Sequence, residues 1–194
     1  MRFSAFLLTL LSLLGCTTAN PYSSSTRSDR ARFKKVPFPF KHSTAFYISQ
    51  GPFGKASHSE LGNEYSWDFD VPYGTEVFAV ESGKVIEVWS PDKEGGCDPM
   101  FLAGAHNIKI EAADGSVAQY VHIDTKVNLG QIVKEGDLVA VTAKNGYICA
   151  PQLHFGIYKS RSDLYISPTR KTLPLLFEGL PGGIAKEGLQ FIVN

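Results

Sequence analysis

NEYSWDFDVPYGTEVFAVESGKVIEV, residues 63–88, decides the fold. It holds three short runs, YSWDFDV, TEVFAV and GKVIEV, rich in the β-branched and aromatic residues that suit a pleated, half-buried surface. Between them stand VPYGT and ESGK, whose Pro and Gly supply turns. Side chains alternate along a strand, so Trp67 and Phe69 share one face while Asp68 and Asp70 share the other. The same pattern continues outward. TAFYISQ lies upstream, and HNIKIEA, SVAQYVHI, DLVAVT and LHFGIYK follow, punctuated by AADGS, VKEGD and AKNG. Residues 161–194 add a coil with ISPTRKTLPLLF, one edge strand and a terminal strand in LQFIV. No segment has an apolar period of 3.6, so the chain reads as mainly β: an antiparallel core or sandwich of short strands.

The bulk properties bound the rest. A chain of 194 residues, 43% hydrophobic and 20% charged, accommodates one core plus a tether. Lys plus Arg number 19 and Asp plus Glu 19, so no basic field exists to hold nucleic acid. Arg2 and the apolar FLLTLLSLLG form a processing segment too short to span a bilayer comfortably. It ends in Leu13-Leu14-Gly15-Cys16, which resembles the lipobox of bacterial lipoproteins, with Leu14 the less usual residue; the plainer alternative is an ordinary secretory signal. Thr17 stands where an aspartate would retain such a protein at the inner membrane. The expected location is therefore the bacterial cell envelope: periplasmic, with a lipid on Cys16 anchoring the chain at the outer membrane.

Residues 17–40 are polar and serine-rich up to VPFPF at 36–40, which marks entry to the folded part. Some 20 such residues span roughly 25 Å as a flexible coil. The expected division is a signal at 1–16, a tether at 17–40 and a domain at 41–194. Export also puts Cys97 and Cys149 in an oxidising compartment, where they form the available intramolecular pair once Cys16 carries lipid. Two buried free thiols, or a metal role, are the other readings of these cysteines. SPDKEGGCDPMFLAGA, residues 90–105, is a loop long enough to wall a cleft.

Alternation also sorts the polar residues. In QLHFGIY, Leu153 and Phe155 face the core, while Gln152, His154 and Gly156 face away. In QYVHI, Tyr120 and His122 are expected on one face and Val121 and Ile123 on the other. With His58, these residues offer neutral or anionic N and O donors of the kind a catalytic zinc site uses, three ligands with a fourth position open. A lone histidine on a strand is more often solvent-facing or hydrogen-bonded than a ligand, and His42 and His106 are assigned no role.

The order of blocks decides between those readings. QGPFGKASHS, the run at 63–88, ADGSVAQYVHID, GQIVKEGDLVAVT and NGYICAPQLHFGIY together resemble the LytM/lysostaphin-type zinc metallopeptidases over roughly residues 46–160. The resemblance implies a duplicated-hybrid-motif-like β fold with a groove on one sheet face. It implies a Zn2+ cofactor with His58, Asp68 and His154 as ligands; Asp68 rather than Asp70 stands four before the proline of DFDVP. His122 corresponds to a histidine that assists catalysis. Gln152 departs from the family, occupying the first position of its His-x-His, and it cannot accept a proton as a base. The implied activity is endopeptidase cleavage of peptidoglycan peptide stems, weakened by Gln152. The alternative is a non-catalytic relative that binds peptidoglycan or activates a cell-wall amidase.

Overall fold

The computed structural model describes residues 33–59, 62–92, 94–164, 172–183 and 185–193. The signal-like segment 1–16, with Cys16, and the tether as far as residue 32 lie outside the described residues. The strands are β1 (Lys34–Val36), β2 (Ala45–Gln50), β3 (Trp67–Asp70), β4 (Glu76–Phe78), β5 (Gly83–Trp89), β6 (Gly95–Gly96), β7 (Asn107–Ala112) and β8 (Val117–Val121). There follow β9 (Ile123–Thr125), β10 (Ile132–Val133), β11 (Leu138–Thr142), β12 (Gly146–Tyr147), β13 (Gln152–Tyr158), β14 (Leu175–Phe177) and β15 (Gln190–Ile192). Among the described residues the helical turns are short 3₁₀ pieces, such as Pro99–Gly104.

Eight strands make one antiparallel sheet in the order β10-β5-β7-β8-β13-β3-β2-β15. The mainly antiparallel β fold expected from the sequence is the one observed. Two peripheral pairs, β1 with β14 and β6 with β12, are parallel instead. One face of the large sheet is the core. Trp67, Phe69, Leu153, Phe155, Tyr120 and Ile108 are fully buried, because the apolar members of each alternating strand turn to the same side. The antiparallel sheet β4-β11-β9 contributes Val77, Val139, Ala140 and Ile123 to the same buried cluster. The Val80 N–H donates to the Tyr120 hydroxyl at 2.9 Å, which satisfies that buried group.

The remaining cover corrects one expected boundary. Residues 34–40, assigned above to the end of the tether, are packed into the domain. β1 pairs with β14, and Val36, Phe38 and Phe40 are buried. Phe38 stacks on Phe177 at 4.5 Å, and the Phe40 ring meets Phe69 edge-on at 5.6 Å. The polarity of the preceding residues masked this, since only three apolar side chains mark the segment. Val36→Ala is therefore expected to lower unfolding stability by about 1–2 kcal/mol, from roughly 0.8 kcal/mol per buried methylene. Urea denaturation checks it; an unchanged midpoint would show that the segment is dispensable to the fold.

Candidate metal centre

The face of the sheet opposite the core carries the polar set. β13 lies beside β3 with His154 directly opposite Asp68, a pairing that brings their side chains together. Nδ1 of His154 lies 2.8 Å from Asp68 Oδ1. His58 arrives from the loop after β2, its Nε2 3.3 Å from the same oxygen and 3.3 Å from His154 Nδ1. The three donor atoms all fall within 4.8 Å of one another.

Outer contacts prepare these donors. The Nδ1–H of His58 donates to the Gly51 carbonyl at 2.9 Å, which leaves the Nε2 lone pair facing the cluster. The second oxygen of Asp68 accepts from Gln50 Nε2 at 2.7 Å. Gln50 is fixed in turn, its Oε1 accepting from the Ala56 and Ser57 N–H groups at 2.8 and 3.1 Å. By strict alternation Gln50 belongs on the core face with Phe46 and Ile48. A register shift between Ile48 and Gln50 sets it opposite Asp68 instead, the work of a β-bulge. A Cβ at Gly54 would sit 2.2 Å from Gln50 Cγ, so the loop needs glycine there to lie against this side chain.

The electrostatics agree with an anionic ligand. Burial pushes the Asp68 pKa up, but hydrogen bonds and charge from His154 and His58 outweigh it and hold the carboxyl well below the usual range. Asp70, by contrast, is raised by burial despite its bond from Ser49, and it stands apart from the histidines. The two aspartates of DFD thus differ: Asp68 is in the His/Asp/His cluster and Asp70 is not.

His122 enters by a different route from the one expected. Tyr120 points into the core, opposite Phe155, and Val121 lies on the groove side opposite His154. Tyr120 and His122 are therefore not co-facial neighbours of one regular strand. His122 has φ of 63°, which ends β8 and re-aims its side chain into the groove. Its Nδ1–H donates to the Asn145 carbonyl at 2.8 Å, leaving Nε2 as the basic nitrogen. Burial lowers its pKa, partly offset by that bond, so the ring is neutral at pH 7. Below pH about 6.5 the unfolded chain takes up a proton that the folded ring refuses. The stability His122 contributes is thus complete above that value and lost as pH falls through its lowered folded pKa. NMR titration is expected to place this ring's midpoint below about 6.5; a midpoint above it would contradict the burial.

Gln152 also lines the groove, two residues before His154 on the same strand. The groove encloses about 880 Å³. Residues 53–57 form one wall, and Leu102, Ala105, Tyr147 and Cys149 form another, so the 90–105 loop is part of the site. Cys97 and Cys149 are joined in a disulfide. Gln50, Gly51 and Asn145 were given no role from the sequence; QGPFG served there only as part of a block of the resemblance, and AKNG only as a turn.

Two imidazole nitrogens and a carboxylate oxygen, converging where one side stays open to a groove, fit a zinc ion in donor type. Fold and site together define a β-sheet protein with a His/Asp/His donor cluster, a candidate metal site, on the face opposite its core. The chain belongs to peptidase family M23, whose model matches residues 62–166. Asp68, His122, Gln152 and His154 lie within that span, and His58 just ahead of it.

Lysostaphin of Staphylococcus simulans is 34% identical over 97 residues, covering 48% of this chain and 18% of its own length. Peptidoglycan DD-endopeptidase ShyB of Vibrio cholerae is 32% identical over 91 residues, covering 46% and 19%. The chain thus spans about a fifth of these relatives. The catalytic domain of the prophage-encoded M23 protein EnpA from Enterococcus faecalis, solved as a point mutant, superposes with a TM-score of 0.50 at 22% identity. It covers 71% of this chain and 93% of that one, a likeness of fold.

Proposed function

We propose that this protein is a zinc-dependent endopeptidase that hydrolyses the peptide cross-links of bacterial peptidoglycan. The observation that carries the reading is the convergence of His58, Asp68 and His154 in the groove that His122 also lines. Membership of a peptidase family, and relatives that include a peptidoglycan DD-endopeptidase, support the choice of substrate.

His58, Asp68 and His154 would hold a zinc ion, which would supply Lewis acidity toward a water molecule and the scissile carbonyl. The chain's own residues do the rest. Gln50 and the Gly51 carbonyl hold the donors in place. Neutral His122, anchored through Nδ1, takes the proton of the attacking water on Nε2 and returns it to the departing amine. Gln152 donates a hydrogen bond to the oxygen on which negative charge develops, which a base-incompetent amide can still do. The groove walls align an extended peptide along the sheet face.

The test pairs metal content with release of muropeptide fragments from purified sacculi. Stoichiometric zinc and new cross-link termini are expected. Zinc uptake without fragments, followed by activity in Gln152→His, would show the natural protein to be a binder rather than an enzyme. We further propose that the chain works in the periplasm, held at the outer membrane by a lipid on Cys16; mass spectrometry of the mature N-terminus should find the acylated cysteine, and an unmodified start beyond it excludes the anchor.

A further inference from the structure

The loop at 95–106 lies against Asn145 and Gly146 more closely than any other residue type would permit. β6 and β12 pair in parallel, Gly95 with Gly146 and Gly96 with Tyr147. A Cβ on Gly95 would stand 2.5 Å from the Asn145 Cα, and one on Gly146 2.5 Å from the Ala105 Cα. Buried Asn145 joins three segments. Its Oδ1 accepts from the His106 N–H at 2.9 Å, its Nδ2 donates to the Ile123 carbonyl at 3.0 Å, and its own carbonyl receives the Nδ1–H of His122. The His122 N–H donates to the His106 carbonyl as well, at 3.0 Å. Both backbone and ring of His122 are therefore held by residues at the foot of this loop.

Beside these contacts the Ile148 N–H donates to the Gly96 carbonyl at 3.0 Å, and the tip of the loop is open to solvent. Of Pro99–Gly104 only Gly104 is buried, and Met100 and Leu102 are exposed. The covalent tie is the Cys97–Cys149 disulfide, which joins the start of the loop to the segment entering β13. Both cysteines are exposed, so the bridge fills no core space. His58, Asp68 and His154 rest on the other elements, β3, β13 and the 51–58 loop.

We propose that the Cys97–Cys149 bridge is a clasp that positions His122. It presses the 95–106 loop onto Asn145, and the Asn145 carbonyl then fixes the rotamer and tautomer of the ring. The cysteines and Asn145 are positioning residues; they act on the reaction through His122. This rests on His122 being the proton-transferring group of the groove, and it separates two functions of the site. Metal retention belongs to one set of elements and orientation of the imidazole to another.

The test is the double variant Cys97→Ser/Cys149→Ser in the full chain, examined below its unfolding midpoint. Turnover is expected to fall on the order of 10–100-fold, the scale of a misplacement near 1 Å. Zinc affinity should stay within about twofold of the parent, and kcat should fall even where KM also shifts, since Cys149 and the loop wall the groove. Independently of activity, the Nδ1–H proton of His122 should be protected from solvent exchange in the parent and exchange-broadened in the variant. Unchanged protection with unchanged kcat overturns the clasp. So does loss of zinc together with turnover, which makes the bridge a staple of the whole domain. If the parent cleaves no peptidoglycan, the proposed function fails while the proton signal still decides the clasp.

Discussion

Replacing Asp68 with alanine is expected to empty the site of zinc and to lower peptidoglycan hydrolysis by at least about 10³-fold. That exceeds the roughly 10–100-fold typical when an outer partner of a ligand is lost. Asp68 is the one anion in the cluster, and its Oδ1 lies within 3.3 Å of both histidine nitrogens. Without it two neutral imidazoles face a dication in a buried setting, with no charge to offset the ion's lost hydration. Gln50→Leu should have the smaller effect, since the carboxylate survives but its second oxygen loses the 2.7 Å bond that orients it. That variant also strands the Ala56 and Ser57 N–H groups, so some loop stability goes with it. Zinc measured after dialysis, beside circular dichroism to confirm folding, separates the cases. An Asp68→Ala protein that keeps stoichiometric zinc would refute the ligand set, and equal losses for both variants would mean Gln50 is itself a donor.

How far the site was legible depended on whether each residue obeys strand alternation. Asp68 and His154 do. Trp67, Phe69, Leu153 and Phe155 are buried on the core side as their spacing demands, and the polar residues between them pair across β3 and β13. Gln50 and His122 break the rule, and both lie in the groove for that reason. The bulge at Gln50 and the positive φ of His122 are set by tertiary contacts, the 51–58 loop in one case and Asn145 in the other. No periodicity in the chain reports such contacts. His58 sits in a loop, so only the ordered resemblance of several blocks singled it out. The tether boundary failed on different grounds. Val36, Phe38 and Phe40 join a cluster with Phe46, Phe69 and Phe177, the last of them near the opposite end of the chain. Local polarity cannot foresee contacts of that range.

The second large effect should come from His122, and it should differ in kind. His122→Ala is expected to reduce kcat by about 10²–10⁴, the usual worth of a general acid–base group, while zinc content stays at parent level. The ring is not one of the three converging donors and is anchored to Asn145 on a separate segment. Gln152 sets the scale for comparison. An amide that only donates a hydrogen bond to developing charge costs up to about 10²–10³ when removed, so Gln152→Ala should fall short of His122→Ala. Gln152→His tests the division of labour directly. In a site where His122 already carries the proton, a second imidazole adds stabilisation of charge and a modest gain in rate. Were His122→Ala nearly silent and Gln152→His strongly activating, the proton would travel through position 152 instead, and the natural glutamine would mark a site that has kept its metal donors and given up its base.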